Sequence, residues 1–168
     1  MKYNFCFLFV FFFSCQNQIE NFELSEPDMI KIEQRSVELN DLGEYFYAYL
    51  DLNYQKDGQP FEKKFYEFNS VSTCGFKQNF QYGIQYKYES CDESGIEVEI
   101  KFPKLGLSLL RSLIEKLNDI NIPESYEEEY HWIKSDLEYQ PVEAAAGCYY
   151  IIDDSENDKT KLSFYCGC

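Results

Sequence analysis

The side chains that could do chemistry in this sequence are seven cysteines, one histidine and an excess of carboxylates. Any Ser-His or Cys-His pair would have to use His131, because the sequence has no other histidine. His131 closely follows the glutamates at residues 127–129, which suggests a general base steered by a carboxylate. No glycine-flanked nucleophile accompanies it, so we prefer to interpret it as a surface histidine beside an aromatic stripe.

Motifs for metals and cofactors are equally sparse. Cys166 and Cys168, with one distant histidine, do not make a closed zinc site. The loop at residues 153–158 has carboxylates at alternate positions, but it lacks the central glycine of an EF-hand loop. There is no glycine-rich phosphate loop and no dinucleotide fingerprint. The sequence therefore predicts neither a metal nor a cofactor.

The charge balance limits the classes of partner. The sequence has 30 acidic and 15 basic side chains, and Lys2 is the only charged residue among the first 14. The remainder therefore carries a net charge of −16 with histidine neutral. This excess argues against a nucleic-acid partner, which needs clustered lysine and arginine, and against adsorption to anionic lipid through a basic patch. A basic protein is the partner that such a surface favours.

Three tyrosines are candidates for a binding surface. Alternation over residues 44–54 predicts a strand, one face of which carries Tyr45, Tyr47 and Tyr49. Tyrosine gives a large, rigid contact area at low entropic cost, so this face suits binding. Tyrosine also simply suits half-buried strands, and that alternative stays open.

The rest of the pattern predicts a sheet and two helices. Extended segments at residues 61–71, 80–89 and 96–102 form an antiparallel meander, with turns at 56–60 and 92–95. Apolar residues then recur at helical spacing over 105–117. A second helix is predicted over 124–138, because Pro123 suits a first turn and Ser125 with Glu128 matches a capping box.

A β-hairpin is predicted at the C-terminal end, with Cys148, Tyr150 and Ile152 facing Cys166, Phe164 and Leu162. In this register Cys148 lies opposite Cys166, so the two form a disulfide, while a shift of two residues would pair Cys148 with Cys168. Cys74 and Cys91 flank the segment 80–89 and make the second predicted pair.

These elements together predict an α+β fold, in which an antiparallel sheet of about six or seven strands has two helices before a C-terminal disulfide-linked hairpin. We expect three regions. Residues 1–14 are a signal peptide, residues 15–35 hold an attachment site and a flexible tether, and residues 36–168 are a single domain. A helix or strand packed onto the domain is the alternative for the second half of the tether.

The signal-peptide prediction rests on the first 15 residues. Lys2 gives a basic start, residues 5–13 are an apolar run, and Ser14 and Cys15 follow. The run is shorter than the roughly 20 residues that a transmembrane helix needs. Export is the consequence, and a buried N-terminal strand is the alternative.

Phe12, Phe13, Ser14 and Cys15 resemble the lipobox of bacterial lipoproteins, in which a small residue precedes the modified cysteine. The resemblance implies that Cys15 becomes the mature N-terminus and carries a diacylglycerol and an amide-linked fatty acid such as palmitate. Several acyl chains make a stable membrane anchor. Gln16 follows the cysteine, and by the same resemblance this implies transfer to the outer membrane.

A plain secreted, disulfide-rich protein is the competing interpretation. If Cys15 stays unmodified, six cysteines remain in the mature chain and can form three disulfides, whereas acylation leaves five. We expect the lipoprotein, and we expect it to be an acidic binding protein with no catalytic role. The alternatives are an immunity or inhibitor lipoprotein that neutralises a basic partner, and an exported hydrolase that works through carboxylates.

Overall fold

A computed structural model describes residues 22–39, 45–67, 70–90, 95–121, 129–142 and 147–167. These ranges contain three α-helices: α1 (Met29–Glu38), α2 (Tyr45–Asn53) and α3 (Leu107–Asn121). They also contain the eight strands β1 (Lys56–Glu67), β2 (Ser70–Phe80), β3 (Gln85–Glu89), β4 (Ile96–Pro103), β5 (Tyr130–Ile133), β6 (Glu138–Pro141), β7 (Gly147–Asp153) and β8 (Lys159–Gly167).

The strands form one antiparallel sheet in the order β1-β2-β3-β4-β8-β7-β6-β5. It consists of two four-stranded meanders, β1 to β4 and β5 to β8, that join where β4 pairs with β8. The predicted α+β class is confirmed, and the described ranges contain eight strands and three helices where about six or seven strands and two helices are predicted. None of the helices within the described ranges is long and apolar enough to cross a lipid bilayer.

The core lies between the helices and one face of the sheet. Strand residues alternate between two faces, and in β4 this buries Val98, Ile100 and Phe102 while Glu97 stays exposed. The buried side of α3 supplies Leu110, Leu113, Ile114 and Leu117 to the same core. Apolar burial at this interface is the main favourable term for the fold.

The prediction of a strand over residues 44–54 is wrong, because most of this segment is helix α2. Residues 46–50 are all buried, so the central part of α2 is enclosed by the rest of the core, and Leu52 near its end is 42% exposed. The Tyr47 ring meets Phe76 and Tyr86 edge to face, and the Tyr49 hydroxyl donates to the Ser25 carbonyl at 2.8 Å. An exposed face formed by Tyr45, Tyr47 and Tyr49 therefore does not exist.

The described part of the predicted helix 124–138 is also not helical. It forms β5 and the first residue of β6, joined by a hairpin in which Lys134, Ser135 and Asp136 all have positive φ. The ring centre of Tyr139 in β6 lies 5.2 Å from that of Tyr130 and 4.8 Å from that of Trp132, both in β5. These aromatic contacts between strands stabilise the hairpin more than the local capping signals stabilise a helix. The capping-box residues Ser125 and Glu128 lie outside the described residues.

The predicted tether is partly folded. Residues 1–21, with the predicted signal peptide and Cys15, lie outside the described residues. Phe22 packs on Tyr54 and Tyr82, and α1 begins after an Asp28 cap and buries Ile32 in the core. The alternative of a helix packed onto the domain is therefore correct for the second half of residues 15–35.

The turns of the N-terminal meander also differ from those predicted from the sequence. Residues 56–60 belong to β1, with an irregular register between Asp57 and Phe61, and are not a turn. The segments predicted at 61–71 and 80–89 each cross a strand end, since β1 stops at Glu67 and a 3₁₀ turn at Gln81–Gly83 separates β2 from β3.

The C-terminal hairpin is confirmed in detail. Cys148 lies opposite Cys166, Tyr150 opposite Phe164 and Ile152 opposite Leu162, as the register predicts. Cys148 and Cys166 form a disulfide. Cys74 is also disulfide-bonded, but its predicted partner Cys91 lies outside the described residues.

Candidate functional site

The candidate site is the face of the sheet that points away from the three helices, here called the open face. Its central row runs across β3, β4, β8 and β7, where Glu89, Glu97, Tyr165 and Tyr149 stand opposite one another in turn. These residues alternate with the buried residues of the same strands, so the strand geometry that fills the core also presents this row.

Two tyrosines form the aromatic part of the open face. The rings of Tyr149 and Tyr165 are stacked, with centres 4.9 Å apart and planes within 5° of parallel. Tyr165 is 45% exposed. Because β8 lies between β7 and β4, Tyr149 covers one side of the Tyr165 ring and Glu97 lies on the other side.

Beside this pair the open face contains a shallow depression of about 240 Å³. Three carboxylates and one ammonium group line it, with Ile151 and Ser163 among the remaining residues: Glu89, Glu97, Glu99 and Lys87. An excess of acid in a concave surface raises the local concentration of cations.

Two of the three carboxylates already have cationic partners. Glu89 binds Lys87 at 2.9 Å and Lys63 at 3.2 Å, and Glu99 lies 3.3 Å from Lys101. Among the described residues, no lysine or arginine lies within ion-pair distance of Glu97. Glu97 is thus the carboxylate best placed to accept a cation from outside.

The electrostatics of the depression keep its paired groups charged. The hydrogen bond from Lys87 holds the pKa of Glu89 below its usual value, and Lys63 acts in the same direction. The same contact raises the pKa of Lys87. Glu89 therefore remains an anion directly opposite Glu97, but two lysines compensate its charge, whereas Glu97 has no ion pair among the described residues.

The predicted site residues do not come together here. Tyr45, Tyr47 and Tyr49 belong to α2 on the other side of the sheet, and Cys15 lies outside the described residues. His131 is on the edge strand β5, four strands and roughly 19 Å from β4. Its Nδ1 is buried and has no hydrogen-bond partner within the described part of the chain.

The acidic run next to His131 is only partly visible. Glu129 is exposed, while Glu127 and Glu128 lie outside the described residues. The hydrolase alternative, which relies on this run of glutamates, therefore stays a prediction.

The acidic loop between β7 and β8 binds the side chain of Lys104. The Lys104 ammonium donates to the carbonyls of Asp154 and Glu156 at 2.8 and 2.7 Å and lies 2.9 Å from Oδ1 of Asp154. An ammonium group thus takes the position that a bound cation would need. Across the described ranges, no three histidine, cysteine, aspartate or glutamate side chains are grouped so that they could hold a metal.

Sequence reasoning missed the tyrosine pair although the signal was present. The register that places Cys148 opposite Cys166 also places Tyr149 opposite Tyr165 on the other face. The pairing of β4 with β8, which brings Glu97 to Tyr165, has no local sequence signal.

Comparisons with protein-family models, with curated proteins and with solved structures give no match. The open face is therefore the feature from which a function has to be inferred.

Proposed function

We propose that this protein is an exported, lipid-anchored acidic binding protein that holds a basic partner protein on its open face. Three features support this proposal. The N-terminal segment resembles a lipoprotein signal, the remainder carries a net charge of −16, and one face of the sheet has no helix against it within the described residues.

The observation that carries the proposal is an exposed Tyr165, stacked on a half-buried Tyr149, next to a carboxylate that has no ion pair among the described residues. Exposing the Tyr165 ring gives up part of the free energy that its burial would provide. Glu97 has no ion pair among the described residues, unlike Glu89 and Glu99. A basic partner with apolar contacts would cover the Tyr165 ring and pair with the Glu97 carboxylate, so these features stabilise a complex better than they stabilise the isolated fold.

The anchor would hold the folded domain close to a membrane. Six residues lie between the predicted lipid site at Cys15 and the folded Phe22, and the seven steps of chain between these two residues span at most about 25 Å when fully extended. The partner is therefore expected at the membrane surface or in the same exported compartment.

The anchor is tested by measuring the intact mass of the mature protein purified from its native membrane. A mass equal to residues 15–168 plus acyl chains supports the proposal. A mass without acyl chains, with Cys15 oxidised to a disulfide, would overturn the lipid anchor and favour the secreted alternative.

The binding role is tested with matched charge variants. Glu97→Lys changes the open face, and Glu33→Lys makes the same change on α1, on the helix side. We expect the immobilised mature protein to retain a set of basic envelope proteins that Glu97→Lys loses and Glu33→Lys keeps. Identical retention by all three proteins would refute a binding role for the open face.

A further inference from the structure

The depression on the open face has the two groups that recognise a planar cation. One side of the Tyr165 ring is covered by Tyr149. Tyr165 and Glu97 line the depression, and Tyr149 does not. Glu97 is directly opposite Tyr165, so their Cβ atoms are roughly 5 Å apart, the usual spacing for such a pair on neighbouring strands.

We infer that this depression binds the guanidinium group of an arginine presented by the basic partner, an inference that rests on the proposed function. The guanidinium plane lies on the exposed side of the Tyr165 ring and donates hydrogen bonds to the Glu97 carboxylate. The stack with Tyr149 holds the Tyr165 ring in place before the ligand arrives.

The charge distribution selects a cation at Glu97 in particular. Lys87 and Lys101 are engaged with Glu89 and Glu99, which leaves Glu97 without an ion pair among the described residues. A ligand cation at this point meets a carboxylate that has no ion pair among the described residues and the negative face of an aromatic ring, and both attract it.

The shape selects an arginine side chain over other cations. A guanidinium group is planar, stacks on aromatic rings and matches a carboxylate with two parallel hydrogen bonds, whereas an ammonium group does none of these as well. The volume of about 240 Å³ is below the roughly 300 Å³ at which pockets for small molecules begin. A side chain held out from a protein surface fits this shallow site better than an enclosed metabolite.

The inference is tested by NMR titration of the isotope-labelled mature protein, kept in a neutral detergent. The probe is Nα-acetyl-arginine methylamide, and its lysine and citrulline counterparts are the controls. Citrulline keeps the shape of arginine but has no charge. We expect the arginine compound to shift the backbone signals of Glu97 and Tyr165 at millimolar concentration, the lysine compound to bind more weakly, and citrulline to have no effect.

Variants assign the two contacts. Glu97→Gln should weaken binding of the arginine compound roughly two- to five-fold, the range of an exposed ion pair. Tyr165→Leu should weaken it by a similar factor, because it removes the ring face, while Tyr165→Phe should bind normally because it keeps that face. Glu33→Gln removes one negative charge on the helix side and should bind as the unchanged protein does.

Equal affinity for the arginine and lysine compounds, or signal shifts spread over the whole acidic surface, would overturn the arginine assignment. If basic proteins are retained through Glu97 but the arginine compound does not bind, only this inference fails. If the compound binds but retention is indifferent to Glu97→Lys, the proposed function fails instead.

Discussion

Asp51 ties two helices to the sheet, so replacing it should lower the stability of the whole domain. Its Oδ2 accepts hydrogen bonds from Nε and Nη2 of Arg35 in α1, at 2.9 and 2.6 Å. Its Oδ1 lies 2.6 Å from the Lys56 ammonium in β1, and the Asp51 side chain is only 8% exposed. The substitution Asp51→Asn keeps the shape of this group and removes its charge.

The expected loss in the free energy of unfolding depends on how exposed the two cations that pair with Asp51 are. Leaving a fully buried ion pair broken costs about 3 to 5 kcal/mol. The side chains of Arg35 and Lys56 are 37% and 39% exposed, so water can solvate both cations after the change, and the asparagine oxygen still accepts one bond. We therefore expect a loss of about 2 kcal/mol, which lowers Tm by roughly 4 to 8 °C for a chain of this size.

The measurement is urea unfolding followed by circular dichroism, with Glu38→Gln as the matched control. Glu38 also binds Arg35, at 2.8 Å, but its side chain is 66% exposed, so its loss should cost at most about 1 kcal/mol. If Asp51→Asn destabilises the protein no more than Glu38→Gln does, the buried carboxylate is not the tie that we describe.

The ionisation of Asp51 also predicts how the stability of the domain depends on pH. Burial alone would raise the pKa of Asp51, but the hydrogen bonds from Lys56 and Arg35 outweigh it and hold the pKa below the ordinary value of 3.8. A lowered pKa stabilises the fold while the group is ionised. The stability difference between the unchanged protein and Asp51→Asn should be complete above pH 3.8 and shrink as the pH falls through the lower folded pKa.

Two further experiments test the sheet, one at the disulfide and one at a glycine with a second glycine as its control. Replacing both Cys148 and Cys166 with alanine should lower the free energy of unfolding by about 3 kcal/mol, because the disulfide joins residues 18 positions apart in the sequence. An unchanged midpoint of urea unfolding would contradict this. Gly75→Ala should cost about 1 to 3 kcal/mol, because a Cβ there would lie 2.6 Å from the Tyr88 carbonyl oxygen. Gly106→Ala, with no atom within 4 Å, should cost only about 0.5 kcal/mol, and equal losses at both glycines would refute the packing argument.

Elements held by contacts close in sequence were predictable. The register of β7 with β8 follows from residues ten to eighteen positions apart and from a shared apolar face, and the structure has it as expected. The strand at 96–102 and the helix at 105–117 were likewise visible, because each has one buried face and one solvated face with the matching period.

Elements enclosed by tertiary contacts were not predictable. Residues 46–50 of α2 are buried on all sides, so the helix has no polar stripe from which a period of 3.6 could be read. Its tyrosines fall at every second position, which is the pattern that predicts a strand. In β5, contacts of Tyr130 and Trp132 with Tyr139 outweigh the local capping signals that predict a helix.

The residues of the candidate site could be predicted from the sequence, but their arrangement next to one another could not. Glu97 and Glu99 were visible as the solvated face of a strand, and the tyrosine pair follows from the hairpin register. Their meeting depends on the pairing of β4 with β8, whose partners Glu97 and Tyr165 are far apart in the sequence. Such a pairing is set by the packing of the whole sheet and has no local signal.

The junction of β4 with β8 also bears on how the chain folds as it is made. Each meander has only short-range pairings and can begin to form as soon as its own residues are available, but β8 is the last strand in chain order and lies in the middle of the sheet. Pairings between distant segments are slow, because the entropy of closing the loop is lost before the contacts form. The β4 edge therefore stays unpaired until the chain has been made as far as β8. During that interval the β4 edge is open to wrong partners, and a chaperone that covered it would protect the folding chain.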